Sequence, residues 1–133
     1  MVHNSEEIKR IVLNRIYAGE DWVTSGRAKY CKDPHVIHVR FCSIDRSGSH
    51  HYKFNINPNT LSADYEVWIC GNTDTYYLIP IQIMRHIYHD PESYVDSHHP
   101  EIRVVSVNAG TNTVTYATGG RTIDITPYLR RTL

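Results

Sequence analysis

Three residues with charged or proton-accepting side chains are spaced so that neighbouring strands could bring them together. Asp21 comes just before a short β-branched run, and His38 and Arg40 alternate with apolar residues within the stretch 37–40. Because the side chains of a strand point alternately to its two faces, His38 and Arg40 share one face. This pattern is typical either of a solvated polar stripe on a half-buried sheet or of a site that binds phosphate.

The spacing of apolar residues predicts the elements that would position these side chains. A helix is predicted over residues 5–18, with Asn4 as its N-cap and Glu7 three residues later, the spacing of a capping box. A second helix is predicted to begin at Pro80, and a short final helix at Thr126. Alternating apolar and polar residues predict strands at 22–24, 36–43, 52–56, 65–70, 75–79, 102–107, 113–117 and 122–125.

Clusters of turn-forming residues predict how these strands pair. The cluster at 45–48 predicts a hairpin between strands 36–43 and 52–56, and the cluster at 71–74 predicts a second hairpin. Residues 108–110 predict a meander near the C-terminus. The pattern as a whole predicts an α+β fold with an N-terminal helix, a mostly antiparallel mixed sheet and a central helix, in a single domain over residues 1–133.

Composition narrows the class of protein and its partners. The chain of 133 residues is 41% hydrophobic and carries 14 Lys and Arg against 14 Asp and Glu, so a folded domain is expected and a strong overall positive field is excluded. The sequence has no apolar run long enough to cross a membrane, and residues 1–10 are too polar for a signal peptide. We therefore expect a cytoplasmic protein with no membrane partner.

Three further motifs follow the candidate site along the chain. They are an aromatic-Lys-Phe-Asn strand at 52–55, an Ala-Asp-Tyr strand start at 63–65, and a Tyr-Tyr-Leu-Ile-Pro entry into a helix at 76–80. Together with Asp21 and the strand that carries His38 and Arg40, this order resembles the PD-(D/E)XK nuclease superfamily over residues 5–90. The resemblance implies a restriction-endonuclease-like core, to which residues 101–133 add a β extension.

The same resemblance implies a set of site residues. Asp21 takes the place of the first acid of the family, while His38 and Arg40 stand where the family has Glu and Lys. In that family the acids hold Mg²⁺ or Mn²⁺, and the Lys orients or activates the attacking water. The implied catalytic residues are therefore Asp21, His38 and Arg40, the implied nucleic-acid contacts are Arg40 and Lys53, and the implied metal ligands are Asp21 and Glu7.

Both replacements alter the chemistry that this motif can perform. Histidine is a poor ligand for Mg²⁺, and an arginine side chain stays protonated near neutral pH, so it cannot act as a base. Three explanations remain open: the motif is degenerate and the site only binds, the site is rebuilt from Glu7 or Lys53, or the resemblance is false.

The leading interpretation is a small PD-(D/E)XK-like domain that binds nucleic acid, DNA in the first place. Metal-dependent endonuclease activity is expected only if another acid and base complete the site. The alternative is a non-enzymatic protein interaction module that forms a homodimer. A net charge of zero favours this alternative, and the family-like order of motifs favours nucleic-acid binding.

Overall fold

A computed structural model describes residues 4–43 and 50–133, and in this part of the chain it shows an α+β fold. The described residues form two α-helices, nine β-strands in two sheets and two 3₁₀ turns. In chain order the elements are α1 (Ser5–Ile16), β1 (Val23–Gly26), β2 (Lys29–Lys32), β3 (His35–Cys42), β4 (His51–Ile56), a 3₁₀ turn (Pro58–Ser62), β5 (Tyr65–Cys70), β6 (Tyr76–Pro80), α2 (Ile81–His89), β7 (Arg103–Asn108), β8 (Thr113–Ala117), β9 (Arg121–Asp124) and a second 3₁₀ turn (Thr126–Tyr128). The predicted fold class is confirmed.

The first sheet has the strand order β1-β2-β3-β5-β6. All of its neighbouring strands are antiparallel except β3 and β5, which run parallel. Helix α1 covers one face of this sheet, where Ile8, Val12 and Ile16 are buried in one cluster with Ile37 and Val39. This packing is as predicted, because the apolar stripe of a helix and the apolar face of a strand each need a partner.

The start of α1 was also predicted correctly, and its end was not. The side chain of Asn4 accepts a hydrogen bond from the backbone N–H of Glu7 at 2.8 Å, which satisfies one of the free donors of the first turn. The helix ends at Ile16, two residues earlier than predicted. Ala18 adopts a left-handed backbone with φ of 55°, which a continuing helix cannot accommodate.

The second sheet has the strand order β4-β7-β8-β9 and is antiparallel throughout. It packs with α2 on the face of the first sheet that α1 leaves open. The stacked rings of Phe54 on β4 and Trp68 on β5, 5.6 Å apart between centroids, lie at the centre of this contact. His38 and Arg40 point to the same face as Trp68, so they lie toward the second sheet.

The predicted hairpin between strands 36–43 and 52–56 is wrong. β3 pairs with β2 on one edge and with β5 on the other, which leaves no edge for β4, and β4 pairs with β7. Strand β2 was not predicted because its sequence, Lys-Tyr-Cys-Lys, has no clear apolar alternation. The turn predicted at 45–48 lies outside the described residues.

The other two pairings were predicted correctly. β5 and β6 form an antiparallel hairpin, and β7 and β8 form the predicted meander. Residues 101–133 supply three of the four strands of the second sheet, and β4 supplies the fourth. The restriction-endonuclease-like core and the single domain stay predictions. Neither helix of the described chain has the length and apolarity needed to cross a bilayer.

Replacing Val39 by Asp is expected to unfold the protein. Val39 is 2% exposed between the first sheet and α1, and an unpartnered charge there costs about 3–5 kcal/mol. The matched control is Val23→Asp, which introduces the same residue on β1 at a position that is 62% exposed. Urea unfolding followed by circular dichroism compares the two, and equal stability of both variants would contradict the assignment of faces on β3.

Candidate functional site

Strand register brings three polar residues into one row across the first sheet. Lys29 on β2 lies opposite His38 on β3, and His38 lies opposite Glu66 on β5. Residues opposite one another on neighbouring strands point to the same face, so all three point toward the second sheet. Arg40 lies two residues further along β3 and therefore shares this face.

His38 and Glu66 form a buried pair at the centre of the row. Nδ1 of His38 lies 2.8 Å and 2.9 Å from the two carboxyl oxygens of Glu66, so a protonated Nδ1 donates to both. The side chain of His38 is 4% exposed and that of Glu66 is 1% exposed. A carboxyl group this deeply buried needs such a partner, because the loss of hydration penalises its charged form.

The electrostatics of the pair are set by burial and by the cations around it. Loss of hydration raises the pKa of the Glu66 carboxyl group. The hydrogen bond from His38, and the charges of His38, Arg40 and Lys29, act in the opposite direction by favouring the carboxylate, and burial prevails. The apolar surroundings of Glu66 therefore favour its neutral form, whereas His38, Arg40 and Lys29 favour its charged form.

Arg40 links this buried pair to the surface. Its Nε lies 4.0 Å from Glu66 Oε1, and its side chain is 34% exposed. Nε itself is buried and has no hydrogen-bond partner among residues 4–43 and 50–133. The guanidinium group thus lies beside the buried carboxyl group, and about a third of the Arg40 side chain is exposed.

A pocket of about 530 Å³ opens above His38 and Arg40. Its walls come from the connection between β1 and β2 and from the 3₁₀ turn that precedes β5. The residues that line it are Ser25, Gly26, Arg27, Ala28, Lys29, His38, Arg40, Asn57, Asn59 and Thr60. We call this the cationic pocket, since three of these described residues are Lys or Arg and none is Asp or Glu.

Lys29 fixes one wall of the cationic pocket in place. Its Nζ donates hydrogen bonds to the Asn59 carbonyl at 3.2 Å and to Ser62 Oγ at 3.0 Å. These bonds join β2 to the 3₁₀ turn, so the lysine charge is held at the rim. A pocket whose cations are held before a ligand arrives loses less entropy on binding.

The structure brings together some of the predicted site residues and separates others. His38 and Arg40 line the cationic pocket, and Arg40 also lines an adjoining pocket of about 800 Å³ together with Lys53. Asp21 is not among the residues that line either pocket; its carboxylate lies 3.0 Å from Lys32 Nζ, and this partner lowers the pKa of Asp21. Glu7 lies on α1, the helix that covers the opposite face of the sheet.

The residues of the cationic pocket do not fit Mg²⁺ or Mn²⁺. A divalent cation needs several oxygen ligands, and the acid nearest this pocket, Glu66, already directs both oxygens at His38. The guanidinium group of Arg40, 4.0 Å away, would repel a cation placed there. The described residues contain no group of three or more His, Cys, Asp or Glu able to hold a metal. A metal site at Asp21 and Glu7 stays a prediction.

Sequence reasoning missed Glu66 and Lys29. Glu66 is the one charged residue in the strand Tyr-Glu-Val-Trp-Ile-Cys, and an acid inside so apolar a run is a signal that it has a buried partner. Lys29 could not be placed because β2 itself was not predicted. The partner of Glu66 depends on the parallel register of β3 and β5, which no local pattern encodes.

The residues of the family-like motifs have structural roles here. Asp64 accepts a hydrogen bond from the backbone N–H of Val36 at 2.8 Å and so ties the start of β5 to β3. Tyr76 and Tyr77 are buried, and the Tyr77 hydroxyl group donates to Asn112 Oδ1 at 2.7 Å. Burial raises the pKa of Tyr77 to about 12. These tyrosines pack in the core and are not available to stack on a ligand.

Comparisons with protein-family models, with curated proteins and with solved structures found no match to this chain.

Removing one member of the buried pair is expected to cost more stability than removing both. His38→Leu leaves a carboxyl group buried without its partner, and such a change costs about 3–5 kcal/mol. In the double variant His38→Leu/Glu66→Leu, apolar side chains replace both members, and most of this loss is recovered. Urea unfolding of the two variants and the wild type measures the difference.

His38→Leu is also expected to change the way in which the free energy of unfolding depends on pH. With its folded pKa raised and its main neutralising partner gone, Glu66 binds a proton more tightly in the folded than in the unfolded chain. The variant should therefore lose stability, relative to the wild type, as the pH rises above the ordinary glutamate pKa of about 4.3. A double variant as unstable as His38→Leu, or a single variant whose stability deficit does not change with pH, would contradict the pairing.

Proposed function

We propose that the protein binds nucleic acid and that the cationic pocket holds a backbone phosphate. The observation that carries this proposal is Arg40, whose guanidinium group lies 4.0 Å from Glu66 and whose side chain lines the pocket. Arginine can donate two parallel hydrogen bonds to phosphate oxygens. Arg27 and Lys29 line the same pocket and add positive charge.

The local charge explains how a chain of zero net charge could attract an anion. Electrostatic attraction to a polyanion depends on charges within about 10 Å at moderate salt, so a local cluster matters more than the total. The residues that line the cationic pocket bring Arg27, Lys29 and Arg40 together, and the acid beneath them, Glu66, is buried behind His38.

The adjoining pocket of about 800 Å³ favours a polymeric ligand over a single phosphate, because it extends the site beyond the cationic pocket. Lys53 and Arg40 both line this second cavity, so Arg40 lies where the two pockets meet. Asn55 and Ser106 supply further hydrogen-bonding groups there, and Arg40 and Lys53 outnumber Asp96, the acid in the described lining. A backbone that crosses from one pocket to the other would place successive phosphates near Arg40 and Lys53, which are the nucleic-acid contacts expected from the sequence.

Arg40→Glu is expected to weaken binding of a fluorescently labelled DNA or RNA oligonucleotide by about 10-fold or more, because charge-assisted hydrogen bonds contribute about 1.5–3 kcal/mol. It should also reduce the salt dependence of binding by about one phosphate contact. Arg40→Lys should weaken binding less, since the charge remains. Fluorescence anisotropy across a salt titration measures both effects.

The matched control is Arg131→Glu, the same charge reversal at an exposed position outside both pockets. Its effect on binding should be within about twofold, because exposed charges far from a contact are screened. Equal binding by the wild type and Arg40→Glu, or no binding by either, would contradict the proposal that this face of β3 binds nucleic acid.

Purified protein is expected to cleave DNA weakly or not at all in Mg²⁺, because His38 and Arg40 stand at the positions where the family has Glu and Lys. A plasmid-nicking assay with and without Mg²⁺ measures this. Asp21→Ala is the informative variant, since Asp21 is exposed on the surface and its loss should leave the fold intact. Robust Mg²⁺-dependent cleavage that Asp21→Ala abolishes would contradict the degenerate-site interpretation.

The alternative function, a homodimeric interaction module, rests on a different part of the first sheet. Strand β1 lies at the sheet edge and is exposed along its whole length, with β2 as its single strand neighbour in the described chain. Exposed edge strands can pair with a second chain. Failure of the Arg40 experiment would favour this alternative.

A further inference from the structure

We propose that the His38–Glu66 pair makes the cationic pocket a metal-independent site for RNA cleavage, in which His38 takes the proton from a ribose 2′-hydroxyl group. This inference rests on the proposed function, because it requires a backbone phosphate in the pocket. It adds a substrate class, RNA, and a chemical step.

Glu66 fixes the orientation of the His38 imidazole ring. Nδ1 of His38 is held by both carboxyl oxygens of Glu66, at 2.8 Å and 2.9 Å, so the ring cannot turn freely. His38 lines the cationic pocket, and its other nitrogen, Nε2, makes no hydrogen bond within the described chain. An imidazole whose Nδ1 donates to a carboxylate presents Nε2 as a proton acceptor.

Arg40 is placed next to His38 by the strand that carries both residues. It lies two residues from His38 on the same strand face, and both side chains line the same pocket. A phosphate that binds the guanidinium group therefore lies beside the imidazole. Arg40 also stabilises the extra negative charge that builds up on phosphorus when a fifth oxygen attacks.

His38 and Arg40 together provide two chemical functions. One imidazole can move a proton, and one guanidinium group can stabilise charge. A phosphodiester that carries its own nucleophile can be cleaved with these two functions. RNA has such a nucleophile in the 2′-hydroxyl group next to each phosphate, and DNA has none.

The step balances without a co-reactant. Nε2 of His38 accepts the 2′-hydroxyl proton, the 2′ oxygen forms a bond to phosphorus, and the bond from phosphorus to the 5′ oxygen breaks. The leaving 5′ oxygen takes a proton from water, and His38 returns its proton to the solvent. The products are a 2′,3′-cyclic phosphate and a free 5′-hydroxyl group. Glu66 acts here as a positioning residue, since it touches His38 and not the substrate.

The test uses the full chain in EDTA with a single-stranded RNA oligonucleotide and with the same sequence carrying 2′-O-methyl groups. The wild type should bind both and cleave the RNA alone, leaving 2′,3′-cyclic phosphate ends that are identified by mass spectrometry. His38→Ala, purified in parallel, should reduce the cleavage rate by about 10²–10⁴-fold, the usual contribution of a general base. Added imidazole should restore part of this activity, which a purely structural role of His38 would not produce.

Glu66→Gln is the second variant, because it keeps the shape of the side chain and removes its charge. It should still bind the 2′-O-methyl oligonucleotide and should cleave RNA more slowly than the wild type. If His38→Ala fails to fold, this variant and the comparison of the two oligonucleotides still decide the question.

The outcomes separate this inference from the proposed function. Binding of the 2′-O-methyl oligonucleotide without cleavage of RNA would overturn the inference and leave the proposed function standing. Absence of binding to either oligonucleotide would overturn both. Cleavage of the methylated oligonucleotide, or cleavage at the same rate by the wild type, His38→Ala and Glu66→Gln, would also overturn the inference.

Discussion

The burial of the Glu66 carboxyl group between two sheets constrains the architecture around it. A carboxyl group that is 1% exposed costs several kcal/mol unless a hydrogen-bonding partner reaches it, and His38 is that partner. His38 can reach it because β3 and β5 are parallel and in a register that places the two residues opposite one another. A shift of one residue would put an apolar side chain opposite Glu66 and turn His38 toward α1.

The same register determines where positive charge appears on the surface. With His38 fixed opposite Glu66, Arg40 comes two residues closer to the end of β3, beside the stacked rings that join the sheets. Lys29 is placed on the other side of His38 by the pairing of β2 with β3. The cations that could meet an anionic ligand are thus arranged around one buried acid.

Local patterns predicted every strand of the second sheet, all strands of the first except β2, and one pairing in each sheet. Helix α1, the faces of β3, the β5–β6 hairpin and the β7–β8 meander follow from residue spacing over short stretches. The partner of β4 did not, because pairing with β7 joins strands that are far apart in the chain. A turn-rich stretch between two alternating segments favours a hairpin only when an edge of the first strand is free, and neither edge of β3 is free.

Only part of the candidate site could be predicted from the sequence. Alternation along β3 placed His38 and Arg40 on one face, where the structure has them. The contact between His38 and Glu66 joins residues 28 apart in the sequence, so single-strand reasoning could not find it. The role of Asp21 stays a prediction; in the structure its carboxylate has Lys32 as a partner, which the sequence pattern did not indicate.

The route of the chain between β3 and β5 has a consequence for how such a protein can evolve. Between these two neighbours of the first sheet, the chain leaves to form β4 of the second sheet and then returns. Neither sheet is therefore a continuous piece of sequence, and neither could be gained, lost or exchanged as a separate module. Recombination within this chain would have to preserve both sheets at once, whereas point substitutions at the rim of the cationic pocket could alter ligand preference without disturbing either.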